Sequence, residues 1–359
     1  MKSKLIHRDF KLQGISYTAN GIMEYLKEKK DYYNFLKSWF DDKDYILTNT
    51  SGSTGKPKEI RLKKSDLIES SKLTARYFDL KVGDKIINCL PIKYIAGKMM
   101  LVRSLVLGLD LYVFPVSSSP ISDLKNNYDL IAFTPIQLEN SISFIEKIKK
   151  VLVGGSPVQD SLKEKILNSK SIVYETYGMT ETITHIAARN LSMGEKEFTA
   201  LPGIELGKRD NCLFIKPNHL SIEMVQTNDV VEFTNKNKFQ LIGRRDFIIN
   251  SGGVKLNPET IEKKLAKYIS ADFVISSIDN SKFGEVVVLV FKKNIPDNYK
   301  KAFTHLSKYE TPKEVLVIDN FPENNGKINR LKIRSIIFNF PENNGKINRL
   351  KIRSIINNS

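Results

Sequence analysis

The 359-residue chain has few of the features that mark exported, membrane-spanning or metal-cluster proteins. It has only two cysteines, Cys89 and Cys212, with neither a CxxC pair nor a histidine at metal-ligand spacing. We expect both to be buried free thiols in a reducing compartment, which excludes a disulfide scaffold. No apolar run approaches the roughly 20 residues of a membrane span. Without a signal-peptide pattern at its amino end, the sequence predicts a cytoplasmic protein.

Acidic residues are scarce relative to basic ones, and the formal net charge is +16. Such an excess can indicate binding to nucleic acid or to an anionic membrane. Here the lysines are scattered among acids and apolar spacers, as on solvated helix faces, and no zinc-finger or RNA-binding aromatic pattern accompanies them. A non-catalytic basic protein that binds nucleotides or nucleic acid is therefore a distant alternative. Attraction of anionic nucleotide substrates explains the charge more simply.

The carboxyl end carries a perfect internal repeat, because residues 320–337 recur letter for letter as residues 339–356. A solenoid requires several imperfect repeats, so one identical copy indicates a recent duplication or an error in assembling the sequence. We treat residues 338–359 as a duplicated tail.

Short apolar runs alternate with helical patterns between about residues 45 and 174. The pattern predicts strands at residues 44–49, 85–90, 109–114, 129–133, 151–153 and 171–174. It predicts helices that begin at Ser65-Asp66, that cover residues 97–107 in a buried position, and that cover residues 156–167 with Pro157 in the first turn. This alternation indicates an α/β fold with a parallel-rich sheet and crossover helices.

The pattern changes after about residue 190 to short strands and turns, predicted at residues 213–215, 221–225, 230–233 and 239–242. A further unit with a helix at 258–268, strands at 273–278, 285–291 and 314–318, and a helix near 299–305 follows. The sequence thus predicts a large domain over residues 1–245, whose β-rich subdomain covers about 191–245. A smaller mobile α+β domain covers residues 246–337.

A loop rich in hydroxyl groups and glycine follows the first predicted strand. Glycine lets several backbone N–H groups point at one anion, while hydroxyls and lysines add donors and positive charge. Only two residues separate its glycines, so it is not a Walker A loop. Alone, such a cluster is more typical of a surface turn. Its place at the carboxyl end of a strand favours phosphate binding, by Thr50, Ser51, Gly52, Ser53, Thr54, Gly55 and Lys58.

Six segments, in this order, resemble the motifs of the adenylate-forming acyl-CoA synthetase superfamily: residues 50–58, 151–157, 177–182, 227–229, 243–259 and 325–330. One departure is Asn228, which stands where the ribose-binding Thr-Gly-Asp motif has glycine. The resemblance implies an enzyme that uses ATP, Mg²⁺ and CoA. A carboxylate first attacks the α-phosphate of ATP and releases pyrophosphate, and CoA then converts the acyl-AMP into a thioester.

The resemblance also implies a role for each residue of the nucleotide site. Glu181 is expected to hold Mg²⁺, because hard cations prefer carboxylate oxygens, and Thr180 to hydrogen-bond the α-phosphate. Asp229 is expected to accept both ribose hydroxyls, with Arg244 supporting the ribose or a phosphate. Tyr177 is expected to stack on adenine beside Gly154, Gly155, Ser156 and Gly178. Taken one at a time, these residues are as typical of turns, helix starts, surface ion pairs or core aromatics as they are of a nucleotide site.

The carboxyl-terminal domain is implied to supply the adenylation lysine, Lys327, whose ammonium bridges the substrate carboxylate and the α-phosphate. Lys346 is its equal in local sequence, but Lys327 keeps the expected spacing after the predicted strand at 314–318. Asp246 matches the hinge position. Gly252 and Gly253 are expected to line the path of the CoA thiol.

The segments 90–103 and 181–187 resemble the acyl pocket of compact bacterial o-succinylbenzoate–CoA ligases, enzymes of menaquinone biosynthesis. The pocket is expected to contain His185 and Tyr94, the latter replacing a histidine. A second carboxylate on the substrate would need a cation, and Lys98 or Arg103 is expected to supply it, although each is also typical of a buried helix flank. Another aryl- or acyl-CoA ligase and a stand-alone amino-acid adenylating enzyme remain alternatives. The partners expected are a small aromatic carboxylate, ATP and CoA, without nucleic acid.

Overall fold

A computed structural model describes residues 5–49, 58–324, 327–338, 342–343 and 346–347. Its helices are α1 (Ala19–Tyr25), α2 (Lys30–Phe40), α3 (Lys64–Phe78), α4 (Ile95–Leu107), α5 (Pro135–Ser141), α6 (Asp160–Ile166), α7 (Pro258–Leu265) and α8 (Arg330–Phe338). Short 3₁₀ helices cover Ile142–Lys147, Arg245–Phe247 and Tyr299–His305.

The strands of the larger part are β1 (Lys11–Leu12), β2 (Ile15–Ser16), β3 (Tyr45–Asn49), β4 (Glu59–Lys63), β5 (Lys85–Asn88), β6 (Asp110–Val113), β7 (Tyr128–Phe133), β8 (Ile148–Val153), β9 (Ile172–Gly178), β10 (His185–Asn190), β11 (Phe198–Ala200), β12 (Ile204–Arg209), β13 (Cys212–Pro217), β14 (Val225–Asn235) and β15 (Lys238–Arg244). The remaining strands are β16 (Ile249–Ser251), β17 (Val254–Leu256), β18 (Phe273–Asn280), β19 (Gly284–Lys292), β20 (Glu314–Ile318), β21 (Glu323–Asn324), β22 (Lys327–Ile328), β23 (Glu342–Asn343) and β24 (Lys346–Ile347).

One large sheet joins thirteen strands in the order β12-β13-β14-β15-β11-β10-β9-β8-β7-β5-β6-β1-β2. The middle of this sheet is parallel, as the alternation of strands and helices predicts: β6 pairs in parallel with β5, β5 with β7, β7 with β8, and β8 with β9. From β9 onward the pairings with β10, β11, β15, β14, β13 and β12 are antiparallel. The β-rich segment after residue 190 therefore extends the parallel sheet, and the expected α/β class with a parallel-rich sheet is confirmed.

Apolar cores form on both faces of this sheet, because successive side chains of a strand point to opposite sides. Ile86 and Leu130 belong to the core under α3 and α4, whereas Ile87 and Ile131 belong to the core under α5 and α6. Helix α4 is buried on almost every side, as its continuous apolar sequence predicts.

A second sheet begins after residue 248 and joins β17-β16-β19-β18, with β20 parallel to β19. It has its own cores, one with α7 and one with α8. The short helix Arg245–Phe247 lies between the two sheets, where the sequence predicts the domain boundary. The division into domains stays a prediction.

The structure corrects several local predictions. β3 is not a strand of the large sheet, since it pairs antiparallel with β4 in a separate two-stranded ribbon. Residues 221–224 are not a strand, and α6 begins at Asp160, several residues after Pro157. By contrast, the helix predicted to begin at Ser65-Asp66 is present as α3, which begins one residue earlier, and the Asp66 carboxylate accepts hydrogen bonds from the backbone and hydroxyl of Ser221. Among the described residues, no helix is both long and apolar enough to cross a bilayer.

Candidate functional site

The predicted phosphate loop connects the two strands of the β3–β4 ribbon. Residues 50–57, and with them Thr50 to Gly55, lie outside the described part of the chain. Asn49 and Glu59 are paired across the ribbon, so both ends of the loop are held at adjacent positions. Lys58 is exposed at the returning end. The predicted loop therefore joins two antiparallel strands of a separate ribbon and does not follow a strand of the parallel sheet.

The glycine turn after β8 packs closely against β9. The N–H of Gly154 donates to the carbonyl of Phe133 at 3.1 Å, and a Cβ at this position would lie 2.7 Å from the Thr176 hydroxyl oxygen. Gly155 has a φ of +91°, which favours glycine. Ser156 follows and is half-buried. The turn therefore keeps a backbone surface free of side chains beside β9, as contact with a flat base would require.

The segment 177–184 forms a tight turn between the antiparallel strands β9 and β10. Gly178 leaves no room for a side chain, since a Cβ there would overlap the Thr184 carbonyl. The Thr182 hydroxyl fastens the turn by donating to the carbonyls of Met179 and Thr184, at 3.1 and 2.8 Å. Ile183 adopts a φ of +68°, a conformation that β-branched residues rarely adopt.

Thr180 and Glu181 lie at the tip of this turn, where Thr180 is buried and Glu181 is partly exposed. Within the described residues, no hydrogen bond or ion pair engages the Glu181 carboxylate, and no cluster of three or more metal-ligating side chains occurs. One free carboxylate suits Mg²⁺, which binds proteins through one or two carboxylates and takes its other ligands from phosphates and water. The donor set therefore fits a phosphate-bridging Mg²⁺.

Two motifs that lie far apart in the sequence meet at a buried carboxylate. The Tyr177 hydroxyl donates to Asp229 Oδ2, and the Asp229 N–H donates to the Thr227 hydroxyl at 3.0 Å. Arg244 Nη1 lies 3.4 Å from Asp229 Oδ1 on the paired strand β15. Burial, together with the Asp229 charge, raises the pKa of Tyr177 well above its ordinary value, so the phenol stays a donor.

The ring of Tyr177 is only 9% exposed. Its centroid lies 5.4 Å from that of Phe239 and 5.9 Å from that of Phe198. In this arrangement the phenol orients Asp229, a role that sequence reasoning did not assign to it. Whether a base also stacks on the ring stays a prediction.

The predicted hinge residue, Asp246, lies in direct contact with this cluster. Its Oδ2 accepts from Arg244 Nη2 at 2.6 Å, and both of its oxygens accept from Asn228 Nδ2, at 3.0 and 3.3 Å. Arg244 thus contacts the carboxylates of Asp229 and Asp246 together. Sequence reasoning noted Asn228 only as a departure from glycine, and its contact with residue 246 required the fold.

The predicted acyl pocket lies where α3, α4 and β10 converge. His185 Nε2 lies 3.1 Å from the Thr74 hydroxyl, and the imidazole packs edge-on against Phe78 at a centroid distance of 5.3 Å. Burial, reinforced by the Arg103 charge, holds the pKa of His185 well below its ordinary range. The imidazole is therefore neutral at pH 7. Nothing in the local sequence indicates that Thr74 and Phe78 face His185 from a helix more than 100 residues away.

Arg103 is a buried cation that lacks a carboxylate partner among the described residues. Its side chain is on the interior side of α4, the residue is 3% exposed, and its Nε has no hydrogen-bond acceptor there. Nη1 contacts only the Met100 sulfur, at 3.6 Å. Burial lowers its pKa to about 10, which leaves the guanidinium charged at pH 7. A buried charge without a partner is costly, so this position suits an anionic ligand.

Lys98 contacts the end of β3, next to the predicted phosphate loop. Its ammonium donates to the Thr48 hydroxyl at 2.9 Å and to the Leu47 carbonyl at 3.4 Å. Burial lowers its pKa. Tyr94 is half-buried at the residue before α4. Of the two cations that the sequence offers for a second carboxylate, the geometry favours Arg103.

The glycines predicted to line the path of the CoA thiol lie in the smaller sheet, whereas the predicted adenylation lysine lies in a separate two-stranded hairpin. Gly252 and Gly253, with φ of +58° and +82°, make the two-residue turn between β16 and β17. Lys327 begins β22, which pairs with β21 in a small hairpin, and its copy Lys346 begins β24 in an identical pairing with β23. The backbone of the two copies is therefore equivalent here and does not choose between the lysines.

A family model described as "AMP-binding enzyme" matches residues 17–205. A 2-succinylbenzoate–CoA ligase of Bacillus pumilus is 25% identical over 328 residues, covering 80% of this chain and 68% of the relative. An acyl-CoA synthetase (AMP-forming)/AMP-acid ligase II-like protein of Dyadobacter fermentans is 31% identical, with a TM-score of 0.56 and coverage of 91% of this chain and 93% of that one. O-succinylbenzoate coenzyme A synthetase of Bacillus subtilis, solved with ATP and magnesium, is 19% identical, with a TM-score of 0.70 and coverage of 88% and 82%, and shares the fold.

Proposed function

The chain belongs to the AMP-binding enzyme family, and we propose that it is an ATP-dependent, AMP-forming carboxylate–CoA ligase that acts on o-succinylbenzoate in menaquinone biosynthesis. The observation that carries this proposal is the meeting of Tyr177 with Asp229, 52 positions away in the sequence, and with Arg244, beside the turn that holds Glu181. A buried, oriented carboxylate next to an arginine suits a ribose, and a free carboxylate nearby suits the metal that accompanies ATP.

The proposed reaction has two steps. A carboxylate oxygen of the acid attacks the α-phosphorus of ATP. The bond between the α-phosphorus and the oxygen that bridges it to the β-phosphate breaks, and pyrophosphate leaves with that oxygen. The CoA thiol then attacks the acyl carbon, AMP leaves with its phosphate oxygen, and the thiol proton passes to solvent. Mg²⁺, when bound, neutralises charge on the phosphates. We assign Glu181 to the metal, Thr180 to the α-phosphate and Lys327 to the carboxylate–phosphate bridge.

Arg103 supports the choice of a substrate with a second carboxylate. Its guanidinium is buried, charged and unpaired among the described residues, so an anionic group in the pocket would complete a charge-assisted pair. His185 is held neutral by the same burial and shapes the pocket without serving as a base. An amino-acid adenylating enzyme would want an acidic residue for the α-amino group, and Asp129 does not suit that role because it lies on β7 and already binds Lys149 at 2.5 Å and the Lys85 N–H at 2.8 Å.

A pyrophosphate-release assay tests the proposal with four acids: o-succinylbenzoate, benzoate, a fatty acid and an amino acid, each with and without CoA. We expect ATP- and Mg²⁺-dependent release with o-succinylbenzoate and thioester formation when CoA is added. If only benzoate or a fatty acid supported turnover, o-succinylbenzoate would be refuted as the substrate, but the assignment as a carboxylate–CoA ligase would still hold. If the protein bound AMP but released no pyrophosphate from ATP with any of the acids, the proposed ligase activity would be refuted. We place the reaction in the cytoplasm, where ATP and CoA are available.

A further inference from the structure

We propose that Asn228 is a positioning residue that holds the junction between the two sheets in place, by binding the Asp246 carboxylate through its side-chain amide. The proposal concerns how readily the second unit moves relative to the nucleotide site. It rests on the proposed function only for its kinetic test, and its structural test is independent of catalysis.

The junction is a short covalent connection between units that have separate cores. The large sheet ends with β15 at Arg244, and the second sheet, with its own apolar cores, begins with β16 at Ile249. Across the junction, the start of α7 packs on Gly243, where a Cβ would overlap the side chains of Asn257 and Glu259. This contact is polar. Two units are expected to move relative to each other unless a large apolar interface joins them. Residues 245–247 would then act as the hinge for that motion.

Asn228 makes a contact at this junction that glycine cannot make. Its Nδ2 lies 3.0 Å from Asp246 Oδ1 and 3.3 Å from Oδ2, and its own Oδ1 accepts from Arg245 Nη2 at 3.4 Å. One side chain on β14 therefore contacts two successive residues of the connection. Rotation of the backbone at Asp246 would swing its carboxylate and break these bonds.

The same contacts link the junction to the ribose-binding carboxylate. Asn228 directly precedes Asp229 on β14. The guanidinium of Arg244 contacts both carboxylates, with Nη1 at 3.4 Å from Asp229 Oδ1 and Nη2 at 2.6 Å from Asp246 Oδ2. Among the described residues, Arg244 is the other side chain that binds the Asp246 carboxylate, and the Asp246 side chain is 23% exposed. A hydrogen bond from a neutral amide to a partly exposed carboxylate changes an equilibrium by about three- to tenfold. We expect Asn228 to slow opening of the junction by that factor.

Amide hydrogen exchange of Asn228→Ala in the full chain provides the structural test. Exchange in the segment 244–250, which includes the Ile248 N–H bonded to the Arg245 carbonyl, should become about three- to tenfold faster. Exchange elsewhere in β14 and β15 should match the wild type. Asn218→Ala is the matched control, because Asn218 also binds a carboxylate from a hairpin, Glu205 Oε1 at 2.9 Å, away from the junction.

The kinetic test separates the two half-reactions of Asn228→Ala in single-turnover experiments with ATP, o-succinylbenzoate and CoA. We expect thioester formation from the adenylate to change more than pyrophosphate release, because the resemblance to adenylate-forming enzymes implies that the smaller domain moves after the adenylate has formed. Unchanged exchange at 244–250, faster exchange throughout β14 and β15, or an equal loss in both half-reactions would each overturn the proposal. Absence of turnover in the wild-type protein would refute the proposed function and leave the exchange result to decide the role of Asn228.

Discussion

The assignment of Asp229 to the ribose can be tested with a pair of ligands that differ by one hydroxyl group. In the wild-type protein, AMP should bind more tightly than 2′-deoxy-AMP, because the deoxy sugar cannot donate its 2′-OH to the carboxylate. Asp229 is 7% exposed and held by Tyr177 and by its own N–H bond to Thr227. It is therefore preorganised to accept from a ligand.

The magnitude follows from the charge on the acceptor. A hydrogen bond to a charged group contributes about 1.5–3 kcal/mol, so the wild type should prefer AMP by about 10- to 100-fold. Asp229→Asn replaces the charged acceptor with a neutral one, for which the bond contributes about 0.5–1.5 kcal/mol. The preference for AMP should then fall to about two- to tenfold, and the affinity for AMP itself should also fall.

Isothermal titration calorimetry with both nucleotides measures the preference directly and requires no turnover. Tyr177→Phe is the matched control, because it removes the hydroxyl that orients Asp229 and leaves the carboxylate in place. That variant should retain most of the preference and lose about 1.5–3 kcal/mol in the free energy of unfolding, because the lost bond ends on a charged carboxylate. If Asp229→Asn kept the full wild-type preference for AMP, the ribose assignment would be wrong.

Three further outcomes are expected. Lys327→Ala should abolish pyrophosphate release and Lys346→Ala should leave it nearly unchanged, whereas the reverse would show that the second copy supplies the working end. Arg103→Met should raise the free energy of unfolding by about 1–4 kcal/mol in thermal or urea unfolding, because it removes a buried charge that has no carboxylate partner among the described residues. Its turnover of o-succinylbenzoate should fall about 100-fold or more, and a loss of both stability and activity would argue for a structural arginine. For His185, whose folded pKa is depressed, the unfolded chain binds the proton more strongly. The free energy of unfolding should thus fall by about 1.4 kcal/mol per pH unit as the pH drops below about 6.5, and His185→Gln should lack that part of the slope in urea titrations at pH 5 and 7.

The regular parts of the fold were predictable because local patterns decide them. Strand β20 was predicted at its observed bounds, and β7 and helix α4 within two residues, since continuous apolar runs mark buried elements. The start of α6 and the segment 221–224 were mispredicted, because turn chemistry around Pro157 and a side-chain contact with Asp66 compete there with propensity. The pairing of β3 with β4 depends on a partner strand that no local pattern identifies.

The sequence by itself determined the chemical class of this protein, since six motifs in a fixed order and an α/β alternation are properties of the chain read in one dimension. The tertiary structure decided which of those side chains cooperate. It joined Tyr177 to Asp229, left Arg103 buried without a carboxylate partner among the residues that the structure describes, directed Lys98 to Thr48 and set Asn228 against Asp246. The reason is physical: burial, charge pairing and hydrogen-bond geometry depend on distances between residues that are remote in sequence, and only the packed sheets bring those residues within reach.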